Sequence, residues 1–271
     1  MNNKIPRVAC INDLSGYGRC SLTTAISILS VLGVQPCPVP TAVLSKHTAF
    51  PTFYFKDLTE SMEEYLADWS TISFDGIYSG FLGSLEQIQI VYNFIKSTDS
   101  NSLIVIDPVM GDWGKMYSTY TVEMCRGMKR LVASADVIIP NITEACILTD
   151  MPYTGDEISL EVAEQLAKKL LSIGTKSVVI TGIRQGDNIL NFSYDGEYHV
   201  DKIERVDKVF SGTGDMFASI VCGLLVKGNT LQTSVKRAAR FIYEAASKTI
   251  ENNSDITEGV QFEPYLGNLL K

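Results

Sequence analysis

An excess of positive charge, paired cysteines and long apolar runs are all missing from this sequence. Lys and Arg number 23 against 31 Asp and Glu, which gives a formal net charge of −8. This balance argues against nucleic acid or an anionic membrane as a main partner, because both attract clustered Lys and Arg. No stretch approaches the roughly 20 apolar residues that a membrane-spanning helix needs. The first residues also lack the apolar segment of a signal peptide, so we expect a cytoplasmic protein.

The six cysteines are scattered, and no two of them form a C-x-x-C pair. In a chain without a secretory signal, such cysteines are expected to be buried, reduced thiols. Two common nucleotide-binding strings are absent as well. There is no G-x-x-x-x-G-K-[ST], and the segment Gly16-Tyr17-Gly18 is not completed to G-x-G-x-x-G. A phosphate-binding loop with its lysine and a dinucleotide-binding dehydrogenase are both disfavoured.

Short apolar runs alternate with segments of helical period along the 271 residues. Strands are predicted over 8–11, 34–39, 74–78, 103–106, 137–139 and 177–180, followed by a hairpin over 188–200 that turns at Asp195-Gly196. Helices are predicted over 22–32, 60–69, 84–96, 122–133, 142–148, 162–171, 215–226 and 231–250. This alternation predicts an α/β fold, with a mostly parallel central sheet covered by helices on both faces. No linker divides the chain, so residues 1–271 are expected to form a single domain.

The strongest chemical signal is Ser211-Gly212-Thr213-Gly214-Asp215, directly before an apolar helical segment. Two glycines allow a tight turn whose N–H groups face an anion, and the start of the helix adds positive charge. A carboxylate at this point could take the proton of a hydroxyl group as its oxygen attacks a phosphate. From the spacing alone, an Asp that only caps a helix is equally compatible.

Four further segments occur along the chain in the same order as the motifs of a known family. They are Ser45-Lys46-His47-Thr48, Ser79-Gly80-Phe81-Leu82-Gly83, Asp107-Pro108-Val109-Met110-Gly111-Asp112 and Pro140-Asn141-Ile142-Thr143-Glu144. Together with Gly212-Thr213-Gly214-Asp215, they resemble the motifs of the ribokinase superfamily, and the first two resemble its vitamin B6 (pyridoxal) kinase branch. The resemblance extends from residue 11 to about residue 250 and implies a ribokinase-like fold.

The resemblance also implies roles for particular residues in an ATP- and Mg²⁺-dependent kinase. Asp215 would be the catalytic base, and the backbone of Gly212, Thr213 and Gly214 would bind the transferring phosphoryl group. Contacts to ATP are expected from Asp112, Asn141, Thr181, Gly212 and Gly214, with Asp112 on a flexible loop. Asp107 and Glu144 would hold the metal, Glu144 through water. Whether a monovalent cation such as K⁺ takes part is left open, and Asp107 could equally only end a strand.

Contacts to the acceptor are expected from Asp13 or Ser15, from His47 and Thr48, and from the ring of Phe81. The loop after the first strand, residues 12–18, departs from the B6 branch, because its length is closer to that of the same loop in the related hydroxymethylpyrimidine kinases. The loop after Gly111 contains no cysteine, so a covalent adduct with an aldehyde is not expected there.

The expected reaction is phosphorylation of the 5′-hydroxymethyl group of pyridoxal, pyridoxine or pyridoxamine. The closest alternative is a hydroxymethylpyrimidine kinase, since both acceptors are flat heteroaromatic methanols. A sugar or nucleoside kinase fits the segments 45–48 and 79–84 less well. A carrier of vitamin B6 without catalysis is disfavoured by the intact Asp215, Asn141 and Glu144. The resemblance further implies a homodimer.

Overall fold

Eleven strands and eight α-helices follow one another in residues 4–271, which the computed structural model describes. The strands are β1 (Arg7–Ser15), β2 (Gln35–Leu44), β3 (Phe55–Asp57), β4 (Gly76–Ser79), β5 (Leu103–Ile106), β6 (Gly111–Asp112), β7 (Lys115–Met116), β8 (Val137–Ile138), β9 (Ser177–Gln185), β10 (Asn188–Tyr194) and β11 (Tyr198–Glu204). The helices are α1 (Ser21–Val31), α2 (Thr59–Ala67), α3 (Leu85–Ser97), α4 (Val122–Val132), α5 (Ile142–Thr149), α6 (Leu160–Ile173), α7 (Thr213–Val226) and α8 (Leu231–Glu251), and two 3₁₀ helices follow at Ile256–Glu258 and Glu263–Leu270.

Nine of these strands form one sheet in the order β11-β10-β9-β8-β5-β4-β1-β2-β3. The strands from β9 to β2 are parallel, whereas β3, β10 and β11 pair antiparallel at the two ends. The predicted α/β class with a mostly parallel sheet is therefore confirmed. After β1 the chain builds outward through β2, and it then returns to the other side of β1 with β4. Ligands of such sheets bind beyond the carboxyl ends of the strands at this point of reversal.

The two faces of the sheet bury separate groups of helices. Along β1, Ala9 and Ile11 pack in a core with α2 to α6, while Val8 and Cys10 pack in a core with α1, α7 and α8. Successive side chains of a strand point to opposite faces, so one short apolar run supplies both cores. All six cysteines are free, and five of them are buried as predicted.

Most helices begin at a polar residue that satisfies the backbone. Ser84, Thr121, Ser159 and Thr230 each accept a hydrogen bond from the N–H three residues later in α3, α4, α6 and α8. α6 ends at Gly174, which has φ +133. Within residues 4–271, no helix combines the length and the apolar character needed to cross a membrane.

Prolines occupy alternate positions in the first half of β2, at Pro36, Pro38 and Pro40. The N–H of Gln35 points towards β1, where it donates to the carbonyl oxygen of Pro6 at 2.8 Å. Alternate residues of a strand direct their backbone groups to opposite sides, so the three prolines face away from β1. The first half of β2 is a free edge of the sheet, because no described strand pairs with it on that side.

The second half of β2 is covered by β3, a three-residue strand that pairs with Ala42 to Leu44 and was not predicted. Two other strands run farther than predicted. β1 continues to Ser15, with a shift in register between Asn12 and Leu14, and β9 continues to Gln185. Polar residues that were expected in loops therefore lie on the ends of strands.

Candidate active site

The turn before α7 depends on Gly212, which has φ +80 and caps the helix. A Cβ added there would overlap the carbonyl oxygen of Arg19, so the close approach of the two segments requires glycine. α7 begins at Thr213, two residues before the predicted start at Asp215. The first N–H groups of a helix have no partner within it, and no described side chain caps α7. Such a helix start can bind an anion.

Both carboxylate oxygens of Asp215 accept a hydrogen bond from a fixed donor. Nδ2 of Asn12 in β1 donates to Oδ1 at 2.9 Å, and the N–H of Ser21 in α1 donates to Oδ2 at 2.8 Å. The side chain is half-buried, and burial raises the pKa of Asp215 to about 6. A carboxylate with this pKa is mainly ionised at neutral pH and is a stronger base than an ordinary Asp. It is thus suited to accept a proton from an alcohol.

Asp13 lies beside this base and is held by two hydroxyl groups. Its Oδ1 accepts from Oγ of Ser21 at 2.6 Å, and its Oδ2 accepts from Oγ of Ser15 at 2.9 Å. Burial raises the pKa of Asp13, and the two hydroxyl donors act in the opposite direction. Ser15 is completely buried, and its hydroxyl donates to Asp13.

Asp107 and Glu144, the candidate metal residues, are both buried on segments that follow β5 and β8. Burial raises the pKa of Asp107, and the nearby carboxylates of Glu144 and Asp215 raise it further. The two oxygens of Glu144 accept the N–H groups of Met110 and Asn141, each at 2.9 Å. Among residues 4–271, no three His, Cys, Asp or Glu side chains form a cluster that could hold a metal ion. The pair fits a hydrated Mg²⁺, which binds few carboxylates and keeps several waters.

Three candidate nucleotide residues meet at the same edge of the sheet. Asn141 caps α5 by accepting from the N–H of Glu144 at 2.9 Å, and its Nδ2 donates to the carbonyl oxygen of Gly111 at 2.9 Å. Its backbone also forms an isolated parallel bridge with Thr181, one residue beyond the predicted end of that strand. Asp112 follows Gly111 directly, so Asp112, Asn141 and Thr181 are brought together.

The segment that carries Asp112 was predicted to be a flexible loop, and it is instead the β6–β7 hairpin. Its turn uses Trp113 at φ +53 and Gly114 at φ +75. The guanidinium carbon of Arg184 lies 4.5 Å from the centre of the Trp113 ring. The N–H of Gly114 donates to Oγ1 of Thr143 at 2.8 Å. Stacking and hydrogen bonding therefore fix the hairpin against β9 and α5.

The candidate acceptor residues differ in burial. His47 is only 4% exposed, packs over Gly18 and lies 4.8 Å from the ring of Phe50. Burial lowers its pKa, which favours the neutral imidazole, and its Nε2 has no hydrogen-bond partner among residues 4–271. Thr48 is exposed and Phe81 is half-buried. An unpaired ring nitrogen in a buried histidine is a candidate donor to a ligand.

Three residues around Asp215 were not predicted: Asn12, Ser21 and Tyr78. Tyr78 is completely buried, its hydroxyl has no hydrogen-bond partner in the described chain, and its pKa is raised by burial and by the charge of Asp215. Asn12 could have been identified as a site residue from the sequence, because it is the first polar residue after the buried run 8–11, at the carboxyl end of a strand.

A family model described as phosphomethylpyrimidine kinase matches residues 22–260 of this chain. The match includes the segments 79–83, 107–112 and 140–144 and the turn 211–215. The segment 45–48 also lies within it, so the match covers all five motifs of the resemblance.

Several known proteins are similar over nearly the whole chain. A pyridoxine/pyridoxal/pyridoxamine kinase from Bordetella avium is 30% identical over 250 residues, covering 86% of this chain and 82% of the relative. The crystal structure of pyridoxal kinase from Lactobacillus plantarum has a TM-score of 0.91 and 30% identity, covering 98% of this chain and 97% of that one. A Bacteroides thetaiotaomicron protein, named provisionally as a phosphomethylpyrimidine kinase and crystallised with pyridoxal, has a TM-score of 0.94 and 39% identity, covering 99% and 96%. The ribokinase-like fold expected from the sequence is confirmed.

Proposed function

Because this chain belongs to the phosphomethylpyrimidine kinase family and is therefore a kinase, we propose that it phosphorylates vitamin B6. The accepting atom is the oxygen of the 5′-hydroxymethyl group of pyridoxal, pyridoxine or pyridoxamine, and ATP is the donor. Two similar proteins support this choice of acceptor. The Bordetella relative is named for these three vitamers, and the Bacteroides crystal contains pyridoxal.

In the proposed reaction, Asp215 accepts the proton of the 5′-hydroxyl group while the oxygen attacks the γ-phosphorus of ATP. The bond between that phosphorus and the bridging oxygen breaks, and ADP leaves. The N–H groups at the start of α7 stabilise the charge of the phosphoryl group during transfer. Asn12 and Ser21 hold the carboxylate in position through the hydrogen bonds at 2.9 and 2.8 Å.

The proposal rests on one observation, the position and environment of Asp215. A residue that only capped a helix would need neither two fixed donors nor a pKa raised to about 6. We expect Asp215→Ala to lower kcat at least about 100-fold, the range of a lost general base, and to leave nucleotide binding nearly unchanged. Steady-state kinetics with an ATP-binding titration measures both. Near-normal turnover would show that Asp215 is not the base.

For the metal, Asp107 and Glu144 would hold Mg²⁺, with Glu144 acting through water because its oxygens already accept two N–H groups. When bound, the ion would supply positive charge that offsets the negative charge of the ATP phosphates. Asp112, Asn141 and Thr181 would contact the phosphates from the edge of the sheet at which they meet. The hairpin would then cover the nucleotide on that side and help to exclude water.

For the acceptor, His47 and Thr48 would contact the ring substituents, and Phe81 would pack against the flat ring. Nδ1 of His47 accepts the N–H of Ala49 at 3.3 Å, so a neutral ring carries its proton on Nε2. Nε2 is the atom without a partner in the described residues, and it can donate to an oxygen of the vitamer.

A hydroxymethylpyrimidine kinase is the second candidate, because the matching family model is described as phosphomethylpyrimidine kinase, an activity on a related pyrimidine. The experiment that separates the two is ADP production from ATP and Mg²⁺ with pyridoxal, pyridoxine, pyridoxamine and hydroxymethylpyrimidine. We expect a clear preference for the B6 vitamers. Preference for the pyrimidine would keep the role of Asp215 and reject the B6 assignment. No turnover of any of the four would reject both.

We further propose one kinase domain over residues 1–271, a homodimer and a cytoplasmic location. The domain proposal is supported by the single sheet that joins strands from Arg7 to Glu204. The homodimer rests on the family alone. Light scattering at micromolar concentration should give twice the chain mass of 29.8 kDa, and a monomer mass would contradict it.

A further inference from the structure

Ser21, the first residue of α1, has an unfavourable backbone conformation. Its φ is +50, in the left-handed region that residues with a side chain rarely adopt. In this conformation its N–H donates to Oδ2 of Asp215 at 2.8 Å, while its Oγ donates to Oδ1 of Asp13 at 2.6 Å. The bond to Asp13 thus holds Ser21 in the conformation that directs its N–H at the base. Backbone strain that a specific hydrogen bond maintains, in a residue that donates to the proposed base, indicates a functional constraint.

Asp13 also reaches the other oxygen of the base. Its own N–H donates to Oδ1 of Asn12 at 2.9 Å, and Nδ2 of Asn12 donates to Oδ1 of Asp215 at 2.9 Å. Asp13, Ser21, Asp215 and Asn12 therefore form a closed ring of four hydrogen bonds. Asp13 is therefore connected to Asp215 twice, once through Ser21 and once through Asn12. Both oxygens of the base are fixed from a single buried residue.

We propose that Asp13 is a positioning residue for Asp215, acting through Ser21, and not a contact to the acceptor ring. This inference rests on the proposed role of Asp215 as the catalytic base. Asp13 is 8% exposed, and both of its oxygens already accept hydroxyl donors, from Ser21 and Ser15. A ring contact would have to compete with these bonds. The same two donors favour the carboxylate form of Asp13 and so oppose burial, which raises its pKa.

Asp13 acts on the base through its charge as well as through its hydrogen bonds. The titratable side chains that face Asp215 are Asp13, Cys20, Tyr78, Asp107 and Tyr117. Asp13 raises the pKa of Asp215, and burial raises it more. Removing the charge at Asp13 should lower that pKa, and the acid limb of the kcat–pH profile should move to lower pH.

The test is Asp13→Asn, which keeps the size and removes the charge. We expect kcat to fall by about 10- to 100-fold, the scale of a slightly misplaced catalytic group, with the acid limb shifted to lower pH. KM for pyridoxal should change less than about twofold, because no ring contact is lost. Thr23→Ala is the matched control, since its hydroxyl lies in the same turn of α1 and donates only to the carbonyl oxygen of Cys20 at 2.8 Å. It should keep kcat and the profile.

A second pair of variants keeps the test decisive if Asp13→Asn does not fold. Ser21→Gly and Ser21→Ala both remove Oγ, but only glycine adopts φ +50 without strain. The expected order of kcat is wild type, then Ser21→Gly, then Ser21→Ala. Equal values for the two variants would contradict the role of the strained backbone.

One result would overturn the inference outright: Asp13→Asn with KM for pyridoxal raised more than about tenfold, and with kcat and the acid limb unchanged. That result would make Asp13 a contact to the ring. It would leave the proposed function standing, because the wild-type enzyme would still phosphorylate pyridoxal. Failure of the proposed function would appear instead as a wild-type enzyme that releases no ADP with any B6 vitamer, whereas unchanged turnover in Asp215→Ala would reject only the role of Asp215 as the base.

Discussion

The pKa of Asp215 leads to a quantitative prediction for the dependence of kcat/KM on pH. Burial raises this pKa to about 6, and only the ionised carboxylate can accept the proton of the hydroxyl group. With that pKa, about nine-tenths of the enzyme carries the ionised base at pH 7, and about one-tenth carries it at pH 5. We therefore expect kcat/KM to fall roughly tenfold between pH 7 and pH 5, with the half-maximal value near pH 6, because kcat/KM reports the groups of the free enzyme.

The assay is the initial rate of ADP release at ATP and pyridoxal concentrations well below KM, measured from pH 4.5 to 8. Under these conditions the rate is proportional to kcat/KM and reports groups of the free enzyme. Samples held at pH 5 and returned to pH 7 should regain full activity, which separates titration from unfolding. An acid limb near pH 4, the ordinary range of Asp, would refute the reasoning that burial tunes this base. A profile without an acid limb would exclude Asp215 as the catalytic base.

Three other changes test neighbouring parts of the site. Gly212→Ala combines a left-handed φ with overlap of Arg19, so it should destabilise the fold by about 2 kcal/mol or more in urea denaturation, and Gly228→Ala, with φ +85 but open space around it, should cost less. Glu144→Gln should raise the Mg²⁺ concentration for half-maximal activity, and an unchanged Mg²⁺ titration would exclude Glu144 from the metal site. Trp113→Ala should raise KM for ATP about fivefold, because the stacking that fixes the hairpin is worth about 1 kcal/mol; an unchanged KM would mean that the hairpin does not act on the nucleotide.

Features that depend on neighbours in the chain could be predicted from the sequence. The turn 211–215 is an example, because its two glycines and the following apolar helix are enough to indicate a tight turn at a helix start. The parallel sheet follows in the same way from buried runs that alternate with helical periods. Strands β3, β6 and β7 have only two or three residues and contain no apolar run, whereas the equally short β8 does and was predicted.

Contacts between distant parts of the chain could not be predicted in this way. Asn12 and Ser21 precede Asp215 by 203 and 194 positions, and only the folded sheet brings them to its two oxygens. The conformation of Ser21 is also invisible in the sequence, because a serine with φ +50 is stabilised by a partner elsewhere. The bonds from Ser15 and Ser21 to Asp13 likewise exist only in the folded chain, which is why the sequence left open whether Asp13 or Ser15 faces a ligand.

The prolines of β2 have a consequence for how this protein behaves at high concentration. Sheets of separate molecules join, and amyloid fibrils grow, when the backbone groups at a free edge pair with an incoming strand. At Pro36, Pro38 and Pro40 the outward side of β2 has no N–H group to offer. One outward carbonyl oxygen, that of Pro38, already accepts the hydroxyl of Tyr65 at 2.7 Å. An incoming strand would find no donors along this stretch, so the first half of β2 resists aggregation without any charged residue.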